Sequence, residues 1–277
     1  MHMLICTIGS RRHKSTLSFA KQVAKALSAE VTLLGVVGKK RKAEELEAVL
    51  AQAAEDFVEL GLKTRFRVES GNPEDVVVGE MVGSAYDLVA LGALGAKRSH
   101  HRFLSSVAMR IVERARSSVL VVKGNRPSLS RVLICASGAE LGHLSVWAGA
   151  AIACGAKAQA TVLHVSDAMP SMYAGLEEME ETLAELLQSD TAKARELKWA
   201  AQVVKAECEI AELKLRRGIV GDEILREART GDYDLIVLGS SRSAGGIVRA
   251  LMGDLTREIV TRAERPVLVV RPSDSEP

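Results

Sequence analysis

The chain runs through one set of segments twice. MLICTIGS at Met3–Ser10 returns as RVLICASG at Arg131–Gly138, and VTLLGVVG at Val31–Gly38 returns as ATVLHVSD at Ala160–Asp167. YDLVALGALG (Tyr86–Gly95) is answered by YDLIVLGSSR (Tyr233–Arg242), and SSVLVVKG (Ser117–Gly124) by RPVLVVRP (Arg265–Pro272). A repeat this long is a duplicated domain, not a solenoid unit. It divides the 277 residues into copies over 1–126 and 127–277, with the seam in the Gly-, Asn- and Pro-bearing stretch Lys123–Ser130. Any site must therefore be weighed twice.

The repeated segments are short, continuous apolar runs, rich in β-branched residues and bounded by Gly, Ser or Asp. That is the pattern of strands covered on both faces. Helix-spaced stretches lie between them, at Ser15–Ser28 and Leu144–Cys154 after the first strand and at Arg41–Leu60 after the second. A third strand follows at Thr64–Ser70 and Glu209–Gly218, then a helix starting near Pro73 or Asp222. Each copy thus reads as five strands alternating with four helices, an α/β fold with a doubly wound parallel sheet. The copies differ in length between the second and third strands. Thr32 pairs with Thr161 at an offset of 129, Gly71 with Gly218 at 147, so copy two carries 18 extra residues there. Met179, Leu183, Leu186 and Leu187 would share one face of a longer helix.

Composition narrows the function. A formal charge of +2 gives no footprint for nucleic acid or anionic membranes. No apolar run approaches membrane-spanning length, and no signal-peptide pattern opens the chain, so a cytoplasmic location is expected. Cys6 and Cys135 match in the two first strands and read as small core residues. No Cys/His cluster, HExxH motif or nucleophile elbow is present. His164 reads as a satisfied strand residue, and Asp87 and Asp234 as turn or cap residues.

Ligands of doubly wound sheets sit beyond the carboxyl ends of the strands, where strand order reverses. The loops after strands one and four are therefore the places to look. In copy one, strand four runs into Gly92 and Gly95, then nine residues, then Ser105 and Ser106 before the helix VAMRIVERA. Glycines leave backbone bare for a phosphate, and the serines stand where a helix N-terminus favours an anion. Lys97, Arg98, His100, His101 and Arg102 lie in that loop, and Arg11, Arg12, His13 and Lys14 follow strand one.

This order of strands and this loop resemble the universal stress protein family, of the adenine-nucleotide alpha-hydrolase-like fold group, across both copies. The family's phosphate signature is a glycine, two residues, a glycine, nine residues, a glycine and then Ser or Thr. Copy one shows Gly92, Gly95, Ser105 and Ser106 at that spacing, with Ser105 in place of the third glycine. The resemblance implies ATP with Mg in copy one and a stress-response regulatory role. It also implies an adenine pocket at the ends of the first two strands. The Asp of ATP-binding members aligns with Ile8 here and with Ser137 in copy two, which leaves backbone near Thr7 and Val36 to hold the base. Copy two departs further: Arg242 replaces the second glycine, Asp254 stands at the Ser/Thr position, and Glu140 follows its first strand. It reads mostly as a structural and assembly domain. The resemblance further implies that the two last strands pair antiparallel as an internal pseudo-dimer, with room for a homodimer of the whole chain. No nucleophile and base stand out, so any ATP hydrolysis is expected to be slow and incidental. The competing expectation is a scaffold of the same family that binds no nucleotide and acts through protein partners.

Overall fold

The computed structural model describes residues 1–7, 13–38, 43–83, 86–92, 106–136, 140–166, 187–208, 211–240 and 247–272. The first half runs β1 (His2–Thr7), α1 (His13–Ala26), β2 (Glu30–Val37), α2 (Ala43–Val58), β3 (Thr64–Ser70), α3 (Pro73–Gly83), β4 (Leu88–Gly92), α4 (Ser106–Arg114) and β5 (Ser118–Val122). The second runs β6 (Arg131–Cys135), α5 (Glu140–Ala156), β7 (Gln159–Ser166), α6 (Ala192–Glu207), β8 (Ala211–Arg217), α7 (Val220–Thr230), β9 (Leu235–Gly239), α8 (Ile247–Arg262) and β10 (Val267–Val270). Among the described residues each copy has the expected five strands and four helices. The stretch around Met179, Leu183 and Leu186 lies outside the described residues; Leu187 packs beside Ala194 and Leu197.

The strands form one ten-stranded sheet in the order β3-β2-β1-β4-β5-β10-β9-β6-β7-β8. Every joint is parallel except the central one, where β5 and β10 run antiparallel with Val119, Leu120 and Val121 opposite Val269, Leu268 and Val267. That joint covers two edges that would otherwise offer unpaired backbone. The continuous apolar strands follow from helices on both faces. Met3 and Ile5 of β1 enter the core under α2, α1, α5 and α6, whereas Leu4 and Cys6 enter the core under α3, α4, α8 and α7. In β6, Val132 and Ile134 face the first core and Leu133 and Cys135 the second.

Two reciprocal contacts lock the halves together. Lys123, at the end of β5, is buried and donates from Nζ to the carbonyl oxygens of Val260, Thr261 and Ala263, the last two at 3.0 Å. It thereby caps the C-terminus of α8 in the other copy. Arg271, just past β10, donates to the carbonyls of Val112 and Ala115 at the C-terminus of α4. Cations at helix C-termini satisfy orphan carbonyls and complement the helix dipole. Burial pulls the Lys123 amine down to about 8. The first helices also cross closely: a Cβ on Gly155 of α5 would lie 1.9 Å from the carbonyl oxygen of Ala26 at the end of α1. At the offset of 129, Ala26 and Gly155 are counterparts, so each helix meets the other's equivalent residue.

Candidate functional site

Strand order reverses between β1 and β4 in copy one and between β6 and β9 in copy two. At the first of these points Thr7 ends β1, Val36 lies near the end of β2, and Gly92 ends β4. The three come from neighbouring strands, with Thr7 opposite Gly35 in register. Thr7 and Val36 are buried. Ser106 is the first residue of α4. Ile8, Gly95 and Ser105 lie outside the described residues, as do Arg11, Arg12, Lys97, Arg98, His100, His101 and Arg102.

Gly92 has a packing duty besides any ligand. A Cβ there would stand 2.5 Å from Oγ1 of Thr16, a buried residue of α1. Absence of a side chain thus lets α1 approach the end of β4. The counterpart of Thr16 is Ser145, also buried, whose Oγ donates to the carbonyls of Cys135 (3.0 Å) and Gly142 (2.9 Å) and ties the start of α5 to the end of β6. Sequence reasoning missed this pair. The signal was a small hydroxyl at matching positions of two otherwise apolar helix faces.

The helix starts differ between the two switch points. The helices that begin at the first, α1 and α4, carry no acidic residue in their first turns. By contrast α2 opens with Glu44 and Glu45, and α3 with Glu74 and Asp75. Acids at N-termini neutralise the positive end of the dipole; where they are missing it remains available to an anion. In copy two α5 opens on Glu140. Helix α8 is also free of acids in its first turn, but it already begins at Ile247, so Gly253 and Asp254, which align with Ser105 and Ser106, lie inside a helix and not at its start. The amides of residues inside a helix are already bonded and cannot cradle a phosphate.

One sequence expectation is corrected. Lys14, expected in the basic loop after strand one, stands instead in α1, where its side chain lines a groove between α1 and α2. Other expectations hold. Cys6 and Cys135 are buried free thiols that burial pushes up to about 12, far from a reactive thiolate. His164 sits in β7 with Nδ1 3.1 Å from the carbonyl oxygen of Ala136. Asp87 accepts from the backbone N–H of His2 at 2.7 Å, and Asp234 from those of Ser130 (2.8 Å) and Arg131 (3.0 Å). Each fastens the start of its copy's first strand beside the fourth.

Charged clusters under the sheet also recur in both halves. Glu80 accepts from the Tyr86 hydroxyl at 2.6 Å and pairs with Arg67. Glu227 accepts from Tyr233 (3.2 Å), Lys214 (3.0 Å) and Arg216 (Nε, 2.7 Å). Burial pushes the Glu227 carboxyl up, but hydrogen bonds from Arg216 and Lys214 outweigh it and hold the group below its ordinary value. A cluster present alike in the copy with the open helix start and the copy without it is structural. Among the described residues no group of His, Cys, Asp and Glu is placed to hold a metal ion, and no helix is long and apolar enough to cross a membrane.

The profile of the Universal stress protein family matches residues 1–123 and again 129–271. Among solved structures the chain is similar to a universal stress protein from Archaeoglobus fulgidus DSM 4304, at 18% identity, 98% coverage of both chains and a TM-score of 0.71. It is similar also to a functionally unknown protein from Pseudomonas aeruginosa PAO1, at 19% identity over 99% of this chain and 93% of that one, with a TM-score of 0.72. The cytoplasmic domain of a prokaryotic cation chloride cotransporter shares the fold at 14% identity, 99% and 96% coverage and a TM-score of 0.56. No curated protein matches the chain. With the family profile matched in both halves, the chain belongs to the universal stress protein family and carries two of its domains in tandem.

Proposed function

We propose that this chain is a cytoplasmic stress-response regulator whose first domain, residues 1–126, senses an adenine nucleotide at the β1/β4 switch point. The second domain, residues 127–277, serves mainly in structure and assembly. The observation that carries this reading is that α4 opens at Ser106 with no acid in its first turn, whereas α8 opens early, at Ile247, and winds the counterpart of Ser106 into its interior.

ATP with its Mg ion is the ligand that fits this arrangement. Gly92, Gly95, Ser105 and the first amides of α4 at Ser106 would take the phosphates. Backbone at Thr7, Ile8 and Val36 would take the base. A bound triphosphate would bring negative charge beside Gly92 and Ser106, and the protein's part is to bind it and pass on the change. In this reading any hydrolysis is slow and incidental to sensing.

Thermal unfolding with and without Mg-ATP tests this. Saturation at about one hundred times the dissociation constant adds roughly 2.7 kcal/mol of apparent stability. Gly92→Val is a poor control because its side chain would strike Thr16. Ser106→Asp is a better one: an acid in the first turn of α4 stabilises the helix by about 0.3–1 kcal/mol while repelling the phosphates. The variant is expected to fold as well as wild type and to lose the ATP shift. Ile8, which has no carboxylate to offer the base, favours the scaffold reading. An absent shift at millimolar ATP in wild type would select it.

A further inference from the structure

The two copies close the seam between their first two helices differently. At offsets of 129 for α1 with α5 and 147 for α2 with α6, the buried residues correspond: Leu50 with Leu197, Ala53 with Ala200, Phe57 with Val204. In copy two the outer part of the seam is filled by aromatic rings. The Trp199 indole lies 4.0 Å from the His143 ring, centroid to centroid, and 6.2 Å from Trp147 in an edge-on arrangement. The positions of Trp199, His143 and Trp147 in copy one are Gln52, Lys14 and Ser18. With the rings missing, an open groove of about 620 Å3 remains between α1 and α2.

Its floor is apolar and buried, from Leu17, Ala53 and Phe57. Its α1 wall presents Lys14, Ser18 and Lys21, spaced i, i+4 and i+7 on one face. Lys14 makes no ion pair with any described residue. Lys21 is partly buried and has Asp56 at 3.9 Å, a long contact to a carboxylate that is itself half exposed. Gln52 bonds its neighbour Glu55 at 3.3 Å on the exposed side. The groove therefore offers an apolar bed, a polar edge and one net positive charge, Lys14 and Lys21 standing against Asp56 on the α2 side. Pockets of this volume with few polar groups suit small organic ligands. The second copy shows what fits such a seam, because it holds an indole of its own there.

We propose that the α1–α2 groove binds a small aromatic carboxylate, its ring on Phe57 and Ala53 in the place that Trp199 takes in the other half, its carboxylate between Lys14 and Lys21. The site is separate from the switch point and does not depend on nucleotide binding.

The test titrates the full chain with 2-naphthoate by calorimetry, with neutral 2-naphthalenemethanol as the comparison. Naphthoate is expected to bind with a submillimolar dissociation constant, and the alcohol about tenfold more weakly. Gln52→Trp, an exposed substitution that restores copy two's ring, should weaken naphthoate at least tenfold while the protein keeps or raises its unfolding temperature. Lys14→Met with Lys21→Met should weaken naphthoate about tenfold and leave the alcohol unchanged. No binding at millimolar naphthoate would overturn the proposal. So would undiminished binding in folded Gln52→Trp, or loss of binding in Ser106→Asp, which would move the ligand to the strand-end crevice.

Discussion

The two halves share one frame and differ where that frame meets solvent. They agree at the central joint, at the capped ends of α4 and α8, at the strand starts held by Asp87 and Asp234, and at the clusters around Glu80 and Glu227. They disagree at the helix that follows strand four and at the seam between their first two helices. A residue in the shared sheet serves both halves, and a change there costs both. A residue on a free crevice or groove serves one half and can drift. Duplication therefore leaves one copy free to keep an open site while the other fills or winds up the same place.

The crossing of α1 and α5 gives the largest way to break this account. A methyl group on Gly155 meets a backbone carbonyl at 1.9 Å, which cannot turn away as a side chain can. Gly149, on the same helix, would place its Cβ 2.6 Å from Cγ1 of Ile134, a side-chain atom and not backbone. Overpacking costs about 1–3 kcal/mol, at the upper end where the neighbour cannot yield. Gly155→Ala is thus expected to lose about 3 kcal/mol in urea unfolding and Gly149→Ala about 1 kcal/mol. Equal losses would mean that the shared seam is no more constrained than the rest of the helix.

The frame was legible in the sequence because strands buried on both faces cannot hide. Met3, Leu4, Ile5 and Cys6 are all buried, alternating between the two cores, and an unbroken apolar run is their only solution. The central pairing of β5 with β10 came from resemblance alone, since VLVV twice over does not say which edge meets which. The candidate site was half legible. Glycine and serine spacing pointed to the end of β4, yet Gly92 could not reveal that Thr16 stands against it. The early start of α8 was hidden because Gly253 ranks among the poorest residues for a helix interior. Packing of Thr256, Ile259 and Val260 further along the helix overrides that preference. The reciprocal caps were hidden too, because carbonyl acceptors carry no sequence signature. The open groove depends on Lys14, Ser18 and Gln52 meeting across two helices, and only the fold brings them together.

The reciprocal caps sharpen the comparison at intermediate size. Arg271 and Lys123 hold equivalent positions but are not equivalent cations. Guanidinium stays charged in any setting, whereas burial draws the Lys123 amine down to about 8 and weakens its hold on the α8 carbonyls. Hydrogen bonds to charged groups contribute about 1.5–3 kcal/mol. Arg271→Met should therefore cost about 2 kcal/mol in thermal unfolding and Lys123→Met about half that. A larger loss from Lys123 would show that three accepting carbonyls outweigh the burial of the amine.

The smallest expected difference concerns acid. Glu227 is almost fully buried and faces Lys214, Arg216 and Tyr233, whereas Glu80 faces Arg67 and Tyr86. The folded Glu227 carboxyl titrates below its ordinary value of 4.5, because hydrogen bonds and charge from Arg216 and Lys214 exceed the effect of burial. Its contribution is fully present above that ordinary value and is lost as pH falls towards the folded value, since the unfolded chain takes up the proton first. Glu227→Gln carries no charge to protonate, so its stability should fall less steeply between neutral pH and pH about 3. The gap between wild type and Glu227→Gln should accordingly narrow over that range, measured by urea unfolding at a series of pH values. Glu80→Gln, with one cation opposite it in place of two, should lose less at neutral pH than Glu227→Gln. Equal losses would mean that the second copy gained nothing from Arg216, and that its extra cation is a surface charge which happens to lie near the carboxylate.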